Sequence, residues 1–383
     1  MFYPMCKKSD LRRHGSYQFQ HSRRNFDISG HSGPCYLQGA LCDGRRSRVN
    51  LTYKIAALAG VAAVLSGPAC AADPIRIALF GFAADNAFTL ASLEGLKEAA
   101  KEAGDVEIEL FDGAFDADRQ FNQIQDAVAS GRFNGMLILP MGYSSAVPAA
   151  EEAIKAGIKF GSLEYPLGPD PTTTEKFQVK GMTTFVGYNV GSIGLRLAEA
   201  TVEACQGRDP CKVALLVGSR SAAQDVPKIE AFNKHIARYP SIKLVSTQDT
   251  LWGRELGLKV TQDVLQSNPD LDVITSFADQ AAAGAEVALA GAGMNVGGEG
   301  VQLIGLGATQ TAVAAIRQGR WYGTYVELPY MEGYFGGKNI IAAMRGQEFE
   351  PIIDLETRSP VGAAIATKTN LNAHPDWSSK WDG

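Results

Sequence analysis

The 383 residues are 45% hydrophobic and 20% charged, a globular balance that excludes a fibrous or disordered chain and suffices for one large or two ordinary domains. Residues 1–72 hold ten of the 36 Lys and Arg but only three of the 41 Asp and Glu, so the remainder sets 26 basic against 38 acidic groups and carries a formal charge of −12. The body of the chain therefore lacks the basic footprint of a nucleic-acid binder.

Taken in chain order, residues 1–48 are polar, irregular and rich in Arg, His and Gly, and are expected to be a non-native upstream extension of a frame that starts near Val49. Residues 49–72 read as a secretory signal peptide. Arg45, Arg46, Arg48 and Lys54 precede the apolar run 55–65, and the breakers Ser66, Gly67 and Pro68 lead into Ala69-Cys70-Ala71-Ala72. The run is about half the ~20 residues of a membrane span, and cleavage is expected after Ala71 or Ala72. A lipid on Cys70 is disfavoured, because Gly67 stands where lipidation motifs carry Leu. The protein is thus expected in the periplasm.

From residue 73 onward, apolar runs at 75–82, 106–111, 136–139 and 158–163 each precede an Ala-rich amphipathic stretch, at 89–103, 120–130 and 146–156. A polar segment, 166–180, comes next. The alternation then resumes, with runs at 212–217, 242–247, 273–277, 301–305 and 323–326 between helical patterns at 193–204, 228–238, 256–266, 280–290 and 309–318. Nearly all-apolar strands alternating with helices predict an α/β protein of two doubly wound parallel-sheet lobes, with helices on both faces. In such sheets ligands sit beyond the carboxyl ends of the strands, so the loops after strands should carry the chemistry.

Only Cys205 and Cys211 remain beyond the leader, separated by Gln-Gly-Arg-Asp-Pro. In an oxidising compartment that loop can bring them within bridging distance, and a disulfide is expected. Two Cys with no nearby His do not make a metal site, and neither metal nor cofactor is expected. Asp112, Asp116 and Asp118 lack the spacing of a calcium loop.

Residues 75–104 (IRIALFGFAADNAFTLASLEGLKEAAKEAG) resemble the opening of type I periplasmic sugar-binding proteins. The resemblance continues through Asp116-Ala-Asp-Arg-Gln120, Gly135-Met-Leu-Ile-Leu-Pro140, Ala156-Gly-Ile158, Gly187-Tyr-Asn189, the SFADQAAAGA run from Ser276, Ile304-Gly-Leu-Gly307, and Ala315-Ile-Arg-Gln-Gly319 leading to Leu328-Pro329. It implies two lobes joined by a three-segment hinge, of the ribose- and galactose-binding kind, that close on a ligand in the cleft. The lobes are then 73–188 plus 328–348, and 189–327 plus 349–383. It further implies a monomer that hands a small sugar or polyol to the membrane permease of an ABC transporter. A sensor that presents its ligand to a membrane receptor or histidine kinase is the alternative.

A sugar offers hydroxyl edges and C–H faces, so its pocket needs convergent polar groups and aromatic walls. Strand ends supply the candidates Asn86, Phe88, Glu164, Tyr165, Tyr188, Asn189, Trp252, Asp279 and Glu327. Asn86 equally suits a helix N-cap, Phe88 a lobe core, Asp279 an N-cap and Glu164 a solvated rim. The resemblance places a stacking aromatic at Trp252 and hydroxyl recognition at Asp279. It also shows departures from ribose-type relatives: Glu164-Tyr165 replaces Asp-Arg, Tyr188-Asn189 replaces Asp-Asn, Glu327 replaces Gln, and Gly305-Leu-Gly307-Ala308 replaces Gly-Phe-Asp-Gly. Ribose is therefore not expected as the ligand.

Enzyme signals are weak. Ser144, in Gly142-Tyr-Ser-Ser-Ala146, needs a histidine brought to it, and His235 lies in an amphipathic helix. Gly305-Leu-Gly307 lacks the third fingerprint glycine, and Gly333-Tyr-Phe-Gly-Gly-Lys338 is one residue short of a phosphate loop. A repressor of this fold would need a basic helix-turn-helix before residue 75, where the signal peptide stands.

Overall fold

The computed structural model describes residues 74–383. The extension and signal-peptide expectations fall outside them. Strands β1 (Ile75–Gly81), β2 (Val106–Asp112), β3 (Gly135–Ile138), β4 (Lys159–Glu164) and β5 (Thr184–Gly187) are connected by α1 (Ala87–Ala103), α2 (Ala117–Ser130) and α3 (Val147–Lys155). The central strands are buried on both faces, which is why they read as continuous apolar runs; the edge strand β2 is half-buried and alternates, VEIELFD. Local signals set the helix ends. Asn86 accepts from the Thr89 N–H to cap α1, Asp116 caps α2, and Gly104 and Gly131 end them in the left-handed region.

The chain then crosses to a second lobe through α4 (Val190–Ala204), β6 (Cys211–Val217), α5 (Val226–Ile236), β7 (Ile242–Asp249), α6 (Arg254–Ser267), β8 (Val273–Ser276), α7 (Asp279–Gly291), β9 (Gln302–Gly307), α8 (Gln310–Arg317) and β10 (Gly323–Val326). It returns with α9 (Pro329–Met344) and β11 (Ile352–Asp354), then leaves again for β12 (Ile365–Thr367) and α10 (Lys368–Ala373). The first sheet runs β11-β5-β4-β3-β1-β2, all parallel. The second runs β12-β10-β9-β8-β6-β7, with β12 alone antiparallel. Two doubly wound sheets of matching order, joined three times, are the expected architecture.

The third crossing lies later than the expected boundary at residue 349. Ile352–Asp354 pairs in register with Phe185–Gly187, so this segment belongs to the first sheet, and only the residues beyond it join the second lobe. The three crossings are tied together. The Leu328 N–H donates to the Tyr188 hydroxyl at 2.7 Å, the Leu355 N–H to the Gly187 carbonyl at 3.0 Å, and the Tyr325 hydroxyl to Glu356 at 2.9 Å.

One core runs from the α1 and α9 face of the first lobe across the crossings into the α4 and α5 face of the second. Helix α1 touches α9 backbone to backbone: a Cβ at Gly95 would lie 1.8 Å from the Tyr330 carbonyl oxygen, and one at Gly333 as close to that of Ser92. Cys205 and Cys211 are bonded, with Cα atoms 5.7 Å apart, and link the end of α4 to the start of β6. Among the described residues no helix is long and apolar enough to cross a membrane, and no group of three or more His, Cys, Asp or Glu is arranged to hold a metal ion.

Candidate functional site

The strand order of each sheet reverses beside its first strand, at β1/β3 and at β6/β8, and a crevice opens at the carboxyl ends there. The two crevices face each other and enclose a cavity of about 560 Å³, within the usual range for small-molecule sites. Two contacts bridge the lobes beside it. The Tyr143 hydroxyl donates to the Ala223 carbonyl at 3.2 Å, and Phe88 lies edge-to-face on Trp381 with centroids 5.5 Å apart.

Six of the nine candidate residues line this cavity: Asn86, Phe88, Glu164, Tyr165, Trp252 and Glu327. Asn86 caps α1 and also lines the cavity. Asp279 and Asn189 do not line it. Asp279, 1% exposed, accepts from the Thr309 N–H at 2.8 Å and the Thr324 hydroxyl at 2.7 Å, and so ties α7 to the ends of β9 and β10. Burial raises its carboxyl to about 6 against those hydrogen bonds. Asn189 caps α4, accepting from the Ser192 N–H while donating to the Thr172 carbonyl. Tyr188 is fully buried at the crossings. These three polar groups serve the scaffold because the backbone ends around them needed partners.

Trp252 is held by an unusual loop. Leu251 and Trp252 both take left-handed φ, 47° and 56°, two and three residues past Asp249 at the end of β7. The indole lies over the backbone at the end of β6, where a Cβ on Gly218 would meet its Cε2 at 1.8 Å. The first lobe repeats the device: Ala114 and Phe115, φ 49° and 55°, come after Asp112 at the end of β2, and Phe115 lines the opposite part of the same cavity. The shared pattern Asp-x-x-aromatic, Asp112-Gly-Ala-Phe115 and Asp249-Thr-Leu-Trp252, is the sequence signal that would have found Phe115.

Deeper in, the site is charged. Glu164 takes φ 63° at the end of β4, a conformation that costs a residue with a Cβ about 1–2 kcal/mol. The turn is fixed because the Tyr188 N–H donates to the Glu164 carbonyl at 2.9 Å, over Gly187, where a Cβ would come within 2.2 Å of that oxygen. The side chain is thereby folded inward, and the exposed-rim alternative fails: Glu164 is 4% exposed, as is Glu327 on the second crossing. Glu332, on α9 behind them, is fully buried. Opposite stands Lys228 of α5, 1% exposed, which donates to the Tyr165 hydroxyl of the other lobe at 3.1 Å and pairs with buried Asp225 at 3.5 Å. Burial pushes Glu164 up to about 7, against the pull of Lys228 and the Tyr165 hydroxyl. Burial, then the neighbouring Glu164, raises Glu327 and Glu332 well above the carboxylate range.

Sequence reasoning missed Lys228, which reads as a residue of an amphipathic helix, and Trp381, which sits in a tail with no periodicity. Trp381 is fixed by its indole N–H donating to the Gly307 carbonyl at 3.1 Å. Ser144 donates to the Gly168 carbonyl at 2.9 Å, while His235 packs on Tyr239.

Comparison with known proteins agrees with this geometry. The D-allose-binding periplasmic protein of Escherichia coli K12 is 25% identical over 200 residues, 52% of this chain and 63% of its own length. The D-apiose import binding protein of Actinobacillus succinogenes is 27% identical over 215 residues, 56% of this chain and 65% of its own length, so each match spans just under two thirds of the relative. A solved ABC transporter periplasmic solute binding protein from Actinobacillus succinogenes, with bound D-allose, superposes with a TM-score of 0.66 at 22% identity, covering 78% of this chain and 99% of its own. The model of the periplasmic binding protein domain matches residues 77–348, more than half of the sequence, and the chain belongs to that family.

Proposed function

We propose that this protein captures a small sugar or polyol between its lobes in the periplasm and delivers it, as a monomer, to the membrane permease of an ABC transporter. The observation that carries this reading is the interlobe cavity itself. It combines flat aromatic walls, Phe115 from one lobe and Trp252 from the other, with inward polar groups at Asn86, Gln224, Glu164 and Glu327. Aromatic faces cover sugar C–H surfaces, while buried polar atoms reward a ligand whose hydroxyls satisfy them. The role is capture and release rather than turnover, and no cofactor is invoked.

Thermal unfolding of the purified protein with a panel of pentoses, hexoses and polyols tests it. A ligand at 100 times its dissociation constant stabilises by about 2.7 kcal/mol. One or more members should raise the melting temperature, and a strain deleted for the gene should lose uptake of the same compound. A panel without any shift would overturn the reading.

A further inference from the structure

The two glutamates that line the cavity are short of hydrogen-bond partners and of counter-charge. Glu164 Oε2 and Glu327 Oε1 are buried with no partner, and both carboxyl oxygens of Glu332 behind them are in the same state. Glu164, Glu327, Glu332 and Asp225 set four buried carboxyls against one buried ammonium among the described residues, that of Lys228, which is engaged by Asp225 and the Tyr165 hydroxyl. The exposed Arg254 and Asp85 stand at the rim and offset each other in sign. A buried carboxylate is costly unless a positive group meets it, and otherwise keeps its proton. The same cavity is lined by Phe82, Phe88, Phe115, Trp252, Phe277 and Trp381, and aromatic ring faces attract cations.

We propose that the ligand of this cleft carries a protonated amine on its polyol frame, seated between Glu164 and Glu327 within the aromatic walls. The proposal rests on the sugar or polyol reading and narrows it. A neutral polyol can satisfy the unpartnered oxygens by hydrogen bonding but leaves the excess of buried carboxyls uncompensated. A ligand ammonium does both, and its arrival favours the ionised glutamates, so binding expels protons. Glu164 is directly faced by Lys228, Tyr165 and Asp225, and Glu327 by Glu164, Lys228, Asp279 and Asp225, while Glu332 adds like charge from α9. Because burial holds the proton on Glu164 up to about 7, and raises Glu327 well above the ordinary carboxylate range, proton release is observable near neutrality.

The test is calorimetric titration of the purified protein at about pH 6.5, where simple amines are charged and the glutamates still hold protons. Glucosamine, galactosamine and mannosamine are compared with glucose, galactose and mannose, and with allose, arabinose and myo-inositol, in buffers of differing ionisation enthalpy. At least one amino sugar should bind about tenfold or more tightly than its hydroxyl counterpart, with net proton release read from the buffer dependence. Glu164→Gln and Glu327→Gln, each checked for a cooperative melt, should each reduce that preference and the proton release. Should either variant not fold, proton release by the unaltered protein remains the deciding measurement. Neutral sugars binding at least as tightly as their amino counterparts, or an amine binding without proton exchange, overturns the proposal and leaves the sugar reading standing. Failure of every compound, charged and neutral, to bind overturns both.

Discussion

Replacing Glu164 by Gln should make the ligand-free protein more stable at alkaline pH and indifferent at acid pH. The carboxyl has an ordinary value of 4.5 and is pushed up to about 7 in the fold, chiefly by burial. A raised folded-state value in an acid means that the folded protein keeps a proton the unfolded chain has lost. The contribution of Glu164 is therefore intact below about pH 4.5, is lost as pH rises through about 7, and changes no further above that. At about 1.4 kcal/mol for each tenfold change in proton affinity, the rise from 4.5 to about 7 withdraws about 3 kcal/mol by about pH 8. Gln has the shape of the protonated acid and cannot ionise, so the variant should match the parent near pH 4 and exceed it by about 3 kcal/mol near pH 8. Urea unfolding of the ligand-free protein at several pH values measures both. Parallel profiles for parent and variant, or a variant weaker than the parent at about pH 8, would refute the assignment of a buried, proton-holding Glu164.

Trp252→Ala should weaken binding of any sugar that the thermal screen identifies by roughly 1–3 kcal/mol, as read by calorimetry; unchanged affinity would remove the indole from the site. Gly218→Ala should cost affinity to a similar degree, because its Cβ would displace that indole, whereas Gly291→Ala, which meets nothing within 4 Å, should leave affinity unchanged. Asp279→Ala should lower stability by about 2 kcal/mol or more, through the lost ties to Thr309 and Thr324, with ligand affinity retained by the folded fraction. Cys205→Ser should cost about 2 kcal/mol in urea unfolding under oxidising conditions, and labelling of the unreduced parent should find neither Cys205 nor Cys211 free.

Strands such as β1 and β6 were legible because both of their faces are buried, which writes the runs Ile75–Gly81 and Cys211–Val217 into the sequence, whereas β5 and the long helix α9 were not read. The three-residue strands Ile352–Asp354 and Ile365–Thr367 were not. They are too short for a period to show, and their pairing is decided by the crossings rather than by their own residues. In the site, polar residues at strand ends were found, but a strand end offers two destinations. Asn86 and Glu164 turn into the cavity. Asp279 and Asn189 turn back to satisfy backbone N–H groups, and composition alone does not distinguish the two outcomes. Lys228 was illegible because its ammonium finds partners, Asp225 and Tyr165, that the fold alone brings to it.

The paired Asp-x-x-aromatic loops make the cleft a gauge of ligand span. Phe115 belongs to one lobe and Trp252 to the other; if the lobes close on their ligand, as the sugar-capture reading requires, a molecule that reaches only one of them binds open and shut forms about equally and cannot shift their balance. Only a molecule long enough to touch both has a preference for the shut form. A fragment could occupy either half-site without being announced to whatever partner reads the shut shape, and discrimination would then lie in the geometry of closure as much as in the contacts that hold the ligand.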